Sequence, residues 1–172
     1  MHTNPDRQAV APQLGRYEID TDSSTLMFAT RHLFGLAPVR GSFAIRAGTI
    51  DIAWPLTDSV AYVEIDAASF RTGNRQRDDA VRSVRLLDAD QHPVITFTSE
   101  HIDTSVLTGA LTACGVMRPV SLQVEQLAVS PRSFTARART RIDRTEFGVT
   151  ALRGLAGRYL DICAEVRGIA HV

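Results

Sequence analysis

The segment from Phe134 to Ile142 alternates without interruption between a small or apolar row and a polar row. Successive side chains of a β-strand point to opposite faces, so this period predicts a strand with one shielded face. The outer row carries three arginines, and the shielded row is Phe134, Ala136, Ala138, Thr140 and Ile142. A filled core needs bulk on its inner face, whereas the middle of this row is Ala and Thr. The row therefore predicts a barrel wall with space behind it.

The same two-residue period recurs along most of the chain. Further strands are predicted at residues 25–32, 39–46, 49–52, 61–66, 94–99, 107–113, 120–129 and 160–166. Arg46-Ala47-Gly48 is predicted to be a tight hairpin turn between the second and third of these. About eight strands of useful length, with a short one at residues 17–19, predict an all-β fold with an antiparallel lipocalin-like barrel. Eight strands close around packed side chains or around one ligand.

One segment changes to a helical period. Ala80, Val84 and Leu87 lie at i, i+4 and i+7, which predicts a short amphipathic helix with Asn74 as its N-cap. Three apolar segments lack a clear strand period, and we place these loops near the barrel mouth: Leu33–Leu36, Leu86-Leu87 and Leu152–Leu155. They either gate the mouth or plug it with hydrophobic contacts, and the sequence leaves both readings open.

Length and charge narrow the function classes. The chain has 172 residues and no internal repeat, which predicts a disordered tail over 1–15 and one barrel domain over 16–172. Nineteen arginines balance nineteen carboxylates, and this neutrality argues against nucleic acid as a partner. No apolar run in the first sixteen residues resembles a signal peptide, and no stretch is long enough to span a bilayer. We therefore expect a cytoplasmic protein without stable membrane insertion.

Cysteine and histidine spacing predicts no metal or cofactor. Cys114 and Cys163 lack the spacing of a metal or redox motif, so we expect free, packed thiols, with a disulfide between them left open. His32 shares the inward parity of Leu26 and Phe28. Its ring either hydrogen-bonds the headgroup of a ligand or is a core histidine satisfied by the protein. The other histidines lack ligand spacing.

Two charged motifs each allow a functional and a structural interpretation. Arg77-Asp78 either clamps a phosphate or ties the helix to a neighbouring loop. Asp143-Arg144 with Glu146 either performs acid–base chemistry or makes a turn or a surface pair at the end of a strand. The sequence contains no nucleophile elbow, phosphate-binding loop or dinucleotide fingerprint, so we do not expect an enzyme.

Several motifs in a fixed order resemble those of the YceI-like family. They are FATRH (28–32), VRGSF (39–43), TGNRQRD (72–78) with Arg82-Ser83, HPVITFTS (92–99), GALT (109–112), GVMRPV (115–120) and RTEFGV (144–149). The resemblance runs from about Tyr17 to Gly168. It implies a lipocalin-like barrel that binds polyisoprenoid chains, such as isoprenoid quinones and prenyl phosphates, without catalysis. Many family members are exported.

The chain departs from the family pattern in the helix region. The family often has a His-Leu pair where this chain has Ala80-Val81, and two aromatic residues where it has Leu86-Leu87. Both departures lie where the helix is expected to meet the cavity mouth.

We therefore expect a barrel that binds, stores or transports one long apolar ligand, with no other cofactor. Two alternatives stay open: an enzyme acting on a lipophilic substrate in the same cavity, and a structural or stress-related dimer with a filled core. A homodimer also stays open for the carrier. The predicted ligand contacts are the inward residues Leu26, Phe28, His32, Phe43, Val63, Ile65, Val81, Val84, Phe97, Leu111, Phe134, Ala136, Ala138, Ile142, Ile162 and Ala164.

Overall fold

The computed structural model describes residues 11–171, of which most belong to nine antiparallel strands. The strands are β1 (Gly15–Ile19), β2 (Thr25–His32), β3 (Ala37–Ile52), β4 (Val60–Arg71), β5 (Val94–Ile102), β6 (Val106–Ala113), β7 (Val116–Ser130), β8 (Ser133–Asp143) and β9 (Tyr159–Ala170). One α-helix, α1 (Arg75–Arg82), and two 3₁₀ turns, Leu56–Asp58 and Arg144–Phe147, lie in the connections.

The sheet closes because β2 pairs with both β3 and β9. Leu26 lies opposite Phe43 on one side and opposite Ala164 on the other. Strands β2 to β9 therefore form an eight-stranded antiparallel barrel, as predicted. The short strand β1 also pairs with β3 and β9, beyond the end of β2, so β1 and β2 share one position in the wall.

The barrel has two ends that differ in their connections. The mouth end is formed by residues 33–36, 72–93, 114–115 and 144–158, and the base end by residues 20–24, 53–59, 103–105 and 131–132. All three apolar segments predicted near the mouth belong to the mouth end.

Most of the predicted tail, residues 1–10, lies outside the described residues. Within the rest of the tail, Pro12 is buried and the backbone carbonyl of Gln13 accepts a hydrogen bond from the hydroxyl of Tyr17 at 3.0 Å. Strand β1 begins at Gly15. Contacts with the barrel therefore begin before the predicted boundary at Arg16.

The predicted hairpin at Arg46–Gly48 is wrong, because β3 runs through it as one strand. Strand β4 pairs along this stretch with register shifts between Ser42 and Ala44 and between Ile45 and Ala47. Such β-bulges bend a strand without ending it. Gly48 does not adopt a left-handed φ; a Cβ there would lie 2.9 Å from the carbonyl oxygen of Tyr62. The glycine therefore permits a close approach of strands and does not form a turn.

Helix α1 is shorter than predicted. Its N-cap is Asn74, as predicted, whose side chain accepts the backbone N–H of Arg77 at 2.9 Å. The helix ends at Arg82 because Ser83 is extended, and the hydroxyl of Ser83 donates to the carbonyl of Ala80 at 2.6 Å. Val84 consequently lies beyond the helix, with its side chain exposed.

The Arg77-Asp78 pair ties α1 to the end of β4. The buried carboxylate of Asp78 accepts the backbone N–H of Thr72 at 3.0 Å and its hydroxyl at 2.5 Å. Arg77 donates to the same hydroxyl oxygen at 2.8 Å. Burial alone would raise the pKa of Asp78, but the hydrogen bonds from Thr72 and the nearby Arg82 and Arg77 lower it below its usual value. The pair therefore ties the helix to a neighbouring loop, which is the structural one of the two interpretations of Arg77-Asp78.

The outward arginines of β8 are neutralised on the barrel surface. Each forms an ion pair with a carboxylate of an adjacent strand: Arg137 with Glu165 at 2.6 Å, Arg139 with Glu125 at 3.0 Å and Arg141 with Asp161 at 2.8 Å. Exposed pairs of this kind add little stability.

The densest apolar packing lies near the two ends of the barrel. At the base, the ring of Tyr17 packs edge-on against Phe134 at 5.1 Å and both contact Ile52. At the mouth, Leu86 and Phe147 form a second buried cluster with Val149. Among residues 11–171, no helix is both long enough and apolar enough to cross a membrane.

Replacing Asp78 tests how the helix is anchored. Asp78→Ala leaves the N–H of Thr72 without its buried acceptor, and we expect a loss of about 2 kcal/mol in the free energy of unfolding. The neighbouring Asp79→Ala, which removes only exposed ion pairs, should change it by less than about 0.5 kcal/mol. Urea denaturation of the three proteins provides the comparison.

The pH dependence of the same variants gives an independent check. Because the folded pKa of Asp78 is lowered, its stabilisation is present above the pKa of an unfolded aspartate and is lost as the pH falls through the folded pKa. The stability gap between the native chain and Asp78→Ala should therefore narrow in acid. A gap that stays constant down to the folded pKa would contradict this role.

Candidate ligand-binding cavity

The interior of the barrel encloses an apolar cavity of about 870 Å³. Every strand from β2 to β9 contributes side chains to it, most of them aliphatic or phenylalanine. Its volume is in the range that ligand pockets of proteins occupy. The barrel is therefore hollow between its two packed ends.

Small residues of β8 and β9 leave space for the cavity. All five residues of the inward row of β8 line the cavity. Ala138 lies directly opposite Ala164 of β9, so two alanines meet where a filled core would place larger side chains. The wall is therefore thin at mid-height on this side of the barrel.

Aromatic rings of β2, β3 and β4 lie along the adjoining part of the wall. Phe28 stacks on Phe70 at 5.0 Å, and Phe43 contacts both rings at 5.5–5.7 Å between centroids. Phe28 is paired across the strands with Gly41, where an added Cβ would come within 2.5 Å of the phenylalanine ring. The bare backbone of Gly41 lets the ring pack against the sheet, where it forms part of the cavity lining.

Polar lining groups gather toward the mouth end. They are Thr30, His32, Asn74, Gln76, Arg77, Cys114 and Arg144, with Thr140 of β8 beside them. The hydroxyl of Thr30 already donates to the carbonyl of Tyr159 at 2.6 Å. The half-buried ring of His32 makes no hydrogen bond with any described residue. Its hydrogen-bonding atoms therefore remain free for a ligand or for water.

Arg144 holds the mouth connection together from inside. Its guanidinium donates to the carbonyls of Gly157 at 2.7 Å, Val149 at 2.8 Å and Ala156 at 3.2 Å. Burial lowers the pKa of this guanidinium below its usual value, but arginine stays charged at neutral pH. A fixed positive charge thus lines the mouth.

Asp143 is engaged as a structural ion. Its carboxylate accepts the backbone N–H of Thr145 at 3.0 Å and pairs with Arg158 at 2.9 Å. The hydrogen bond from Arg158 lowers the pKa of Asp143 to about 2. Glu146 is exposed. Within the described chain, the motif therefore has the structural role, as a turn, but the ion pair that Asp143 forms is with Arg158 and not with Arg144.

The cavity brings together all but one of the predicted contacts. Val84 is the exception, because α1 ends before it and its side chain faces outward. The residues that line the cavity are Leu26, Phe28, His32, Phe43, Val63, Ile65, Val81, Phe97, Leu111, Phe134, Ala136, Ala138, Ile142, Ile162 and Ala164. Whether they touch a ligand stays a prediction.

Several lining residues of the mouth and wall lie outside the contacts that the sequence predicts. Phe70 belongs to the part of β4 that the predicted strand does not reach, and the acid–base and surface-pair interpretations of Arg144 do not place it in the cavity. Leu33, Leu152 and Leu155 also line the cavity. The sequence does indicate that these three leucines are near the mouth, because they lie in the apolar segments that break the strand period.

The two cysteines lie in different environments and are both free thiols, as expected. Cys114 lines the cavity, and burial raises the pKa of its thiol. Cys163 is not a lining residue; it alternates with the lining residues Ile162 and Ala164 along β9. Within residues 11–171, no group of three or more His, Cys, Asp or Glu side chains is arranged to hold a metal ion.

Comparisons with known proteins agree with this architecture. The model of the YceI-like domain matches residues 17–167. Proteins named YceI from Shigella flexneri and Escherichia coli O157:H7 are each 28% identical over 166 residues, covering 89% of this chain and 86% of the relative.

Two solved structures share the fold. Burkholderia cenocepacia BcnA superposes with a TM-score of 0.71 at 22% identity, covering 87% of this chain and 98% of that one. A domain from Saccharophagus degradans, described as polyisoprenoid-binding and implicated in plant cell wall breakdown, gives 0.72 at 17% identity, covering 92% and 100%.

A larger side chain at Ala138 distinguishes a hollow barrel from a filled one. We expect Ala138→Phe to place its ring in the cavity and to change the free energy of unfolding by less than about 0.5 kcal/mol, whereas overpacking a filled core costs about 1–3 kcal/mol. Denaturant midpoints measure this. Arg139→Gln, on the outer face of the same strand, is the matched control. Strong destabilisation by Ala138→Phe alone would contradict a hollow interior.

Proposed function

The chain belongs to the YceI-like family, and we propose that it binds one long apolar molecule, a polyisoprenoid or related lipid, inside the barrel. The observation that carries this proposal is the apolar cavity of about 870 Å³, whose polar lining groups gather near the mouth. The description of the Saccharophagus degradans domain as polyisoprenoid-binding supports this choice of ligand class.

Burial of apolar surface drives binding in this proposal. Each buried methylene group contributes about 0.8 kcal/mol before the losses of ligand freedom are subtracted. A branched isoprenoid chain fits a wall that combines alanines with leucine, isoleucine and phenylalanine. The pair Ala138 and Ala164 provides room for the methyl branches of such a chain.

The polar groups at the mouth give the ligand a direction. An isoprenoid tail occupies the lumen, and its headgroup lies near His32 and Arg144. An imidazole can donate or accept a hydrogen bond, and the charge of Arg144 favours an electron-rich headgroup. Quinone carbonyls and phosphates both meet this requirement.

We propose storage or transport without chemical conversion of the ligand. The carboxylate of Asp143 is held ionised by Arg158 and is unsuited to proton transfer near neutral pH. His32 has no carboxylate partner among the described residues that would orient it as a general base. The carrier reading therefore has better support than the enzyme reading.

The two cysteines provide a direct test of ligand entry. In a Cys163→Ser variant, N-ethylmaleimide can label only Cys114, which lines the cavity. Geranylgeraniol, used as the probe lipid at about ten times its dissociation constant, should slow this labelling about tenfold, because only the empty fraction reacts.

The matched control is a variant that keeps Cys163 and lacks Cys114. In Cys114→Ser, only Cys163 reacts, and geranylgeraniol should leave its labelling rate unchanged. Equal labelling of Cys114 with and without the lipid, together with no heat of binding in a calorimeter, would overturn the proposal. Equal slowing of both thiols would indicate nonspecific coating by lipid and would also count against it.

A further inference from the structure

Apolar side chains project into solvent around the barrel mouth. Phe34 is 78% exposed and Leu36 is 82% exposed, both in the connection between β2 and β3. Leu155 of the connection between β8 and β9 is also exposed. Phe34 and Leu36 do not line the cavity, so ligand binding inside the barrel does not explain them.

The two connections are joined into one surface. The backbone N–H of Leu33 donates to the carbonyl of Leu155 at 3.0 Å, and that of Phe34 donates to the carbonyl of Gly154 at 2.6 Å. Leu33 and Phe34 both adopt a left-handed φ, at 52° and 58°. Asn and Gly take this conformation more easily than bulky residues do. The chain therefore holds a large aromatic side chain outward at the tip.

Charge is polarised along the barrel axis, although the whole chain is neutral. The four mouth connections, with three flanking residues on each strand, carry eleven arginines and seven carboxylates, a net charge of +4. The base connections with the same flanks and all of β1 carry two arginines and seven carboxylates, a net charge of −5. The mouth therefore faces solvent as the positive end.

A surface depression of about 560 Å³ lies beside the exposed hairpin. It is lined by Arg31, Phe34, Arg40, Arg158 and Tyr159, together with the ion pair of Arg141 and Asp161. Among the described residues, no carboxylate forms an ion pair with Arg31 or Arg40. Guanidinium groups bind phosphate through paired N–H donors, so the depression suits the phosphate of a lipid headgroup.

We propose that this mouth surface, formed by Arg31, Phe34, Leu36, Arg40 and Leu155, docks reversibly on an anionic lipid bilayer. Phe34 and Leu36 enter the interfacial region while the arginines contact lipid phosphates, which is how peripheral surfaces combine burial with charge. A second copy of the chain fits this surface poorly, because two mouth ends of net charge +4 repel each other. Docking extends the proposed function but does not require a ligand in the cavity.

Tryptophan fluorescence tests the orientation. Trp54, the single tryptophan of the chain, is 80% exposed at the base end, so its fluorescence does not report on the mouth. A Phe34→Trp, Trp54→Phe variant moves the reporter to the mouth. With vesicles of equal parts phosphatidylglycerol and phosphatidylcholine, its emission should shift to the blue, whereas Trp54 of the native chain should not shift.

Vesicle sedimentation tests the chemistry. The Arg31→Gln, Arg40→Gln variant should bind these vesicles about thirtyfold more weakly, since each arginine near an anionic surface contributes about fivefold. Phe34→Ser, Leu36→Ser should also lose most binding, and the exposed base control Trp54→Ser should keep it. Salt at about 0.5 M should release the native chain, because it shortens the screening length.

Three results would overturn the proposal. They are equal binding to pure phosphatidylcholine vesicles, loss of binding in Trp54→Ser, and no binding to either kind of vesicle. A dimer in sedimentation velocity that Phe34→Ser, Leu36→Ser dissociates, without vesicle binding, would instead assign the surface to a second copy. The thiol-protection experiment uses neither vesicles nor these residues, so failure of docking and failure of ligand binding are distinguishable.

Discussion

Closure of the sheet on itself is the constraint on which the rest of the structure depends. Because β2 pairs with both β3 and β9, backbone donors and acceptors of the barrel strands find partners around the ring. The wall therefore does not need a filled centre to satisfy its polar backbone, and the chain places its densest packing at the base and at the mouth. Small residues such as Ala138 and Ala164 can then leave the lumen open.

The two ends of this barrel are built differently. At the base, Tyr17 and Phe134 pack against each other in a buried cluster with Ile52. At the mouth, the carbonyls bound by Arg144 and the tether between Asp78 and Thr72 fix irregular connections that no strand pairing could hold. Because the irregular backbone at the mouth is held in place, its polar groups can face an interior that is otherwise apolar. The connection between β2 and β3, at the same end, presents Phe34 to solvent.

Strand periodicity predicted the residues of the wall well, because in a closed sheet every side chain on the inward face of a strand points toward the interior. Prediction failed where the local sequence favours one structure and long-range pairing or backbone geometry favours another. Arg46–Gly48 resembles a turn, but pairing with β4 makes it a bulge within one strand. Val84 fits a helical period, but the extended Ser83 ends the helix first. The role of Arg144 depends on carbonyls up to thirteen residues away, which no local pattern encodes.

Native mass spectrometry of the protein purified from bacterial cells without detergent shows whether the barrel holds a lipid. We expect a bound species above the 18.8 kDa of the chain, which organic extraction removes as an apolar lipid. After extraction, added ubiquinone should restore a one-to-one complex. A chain that is empty as purified and stays empty with ubiquinone would contradict a ligand-binding barrel.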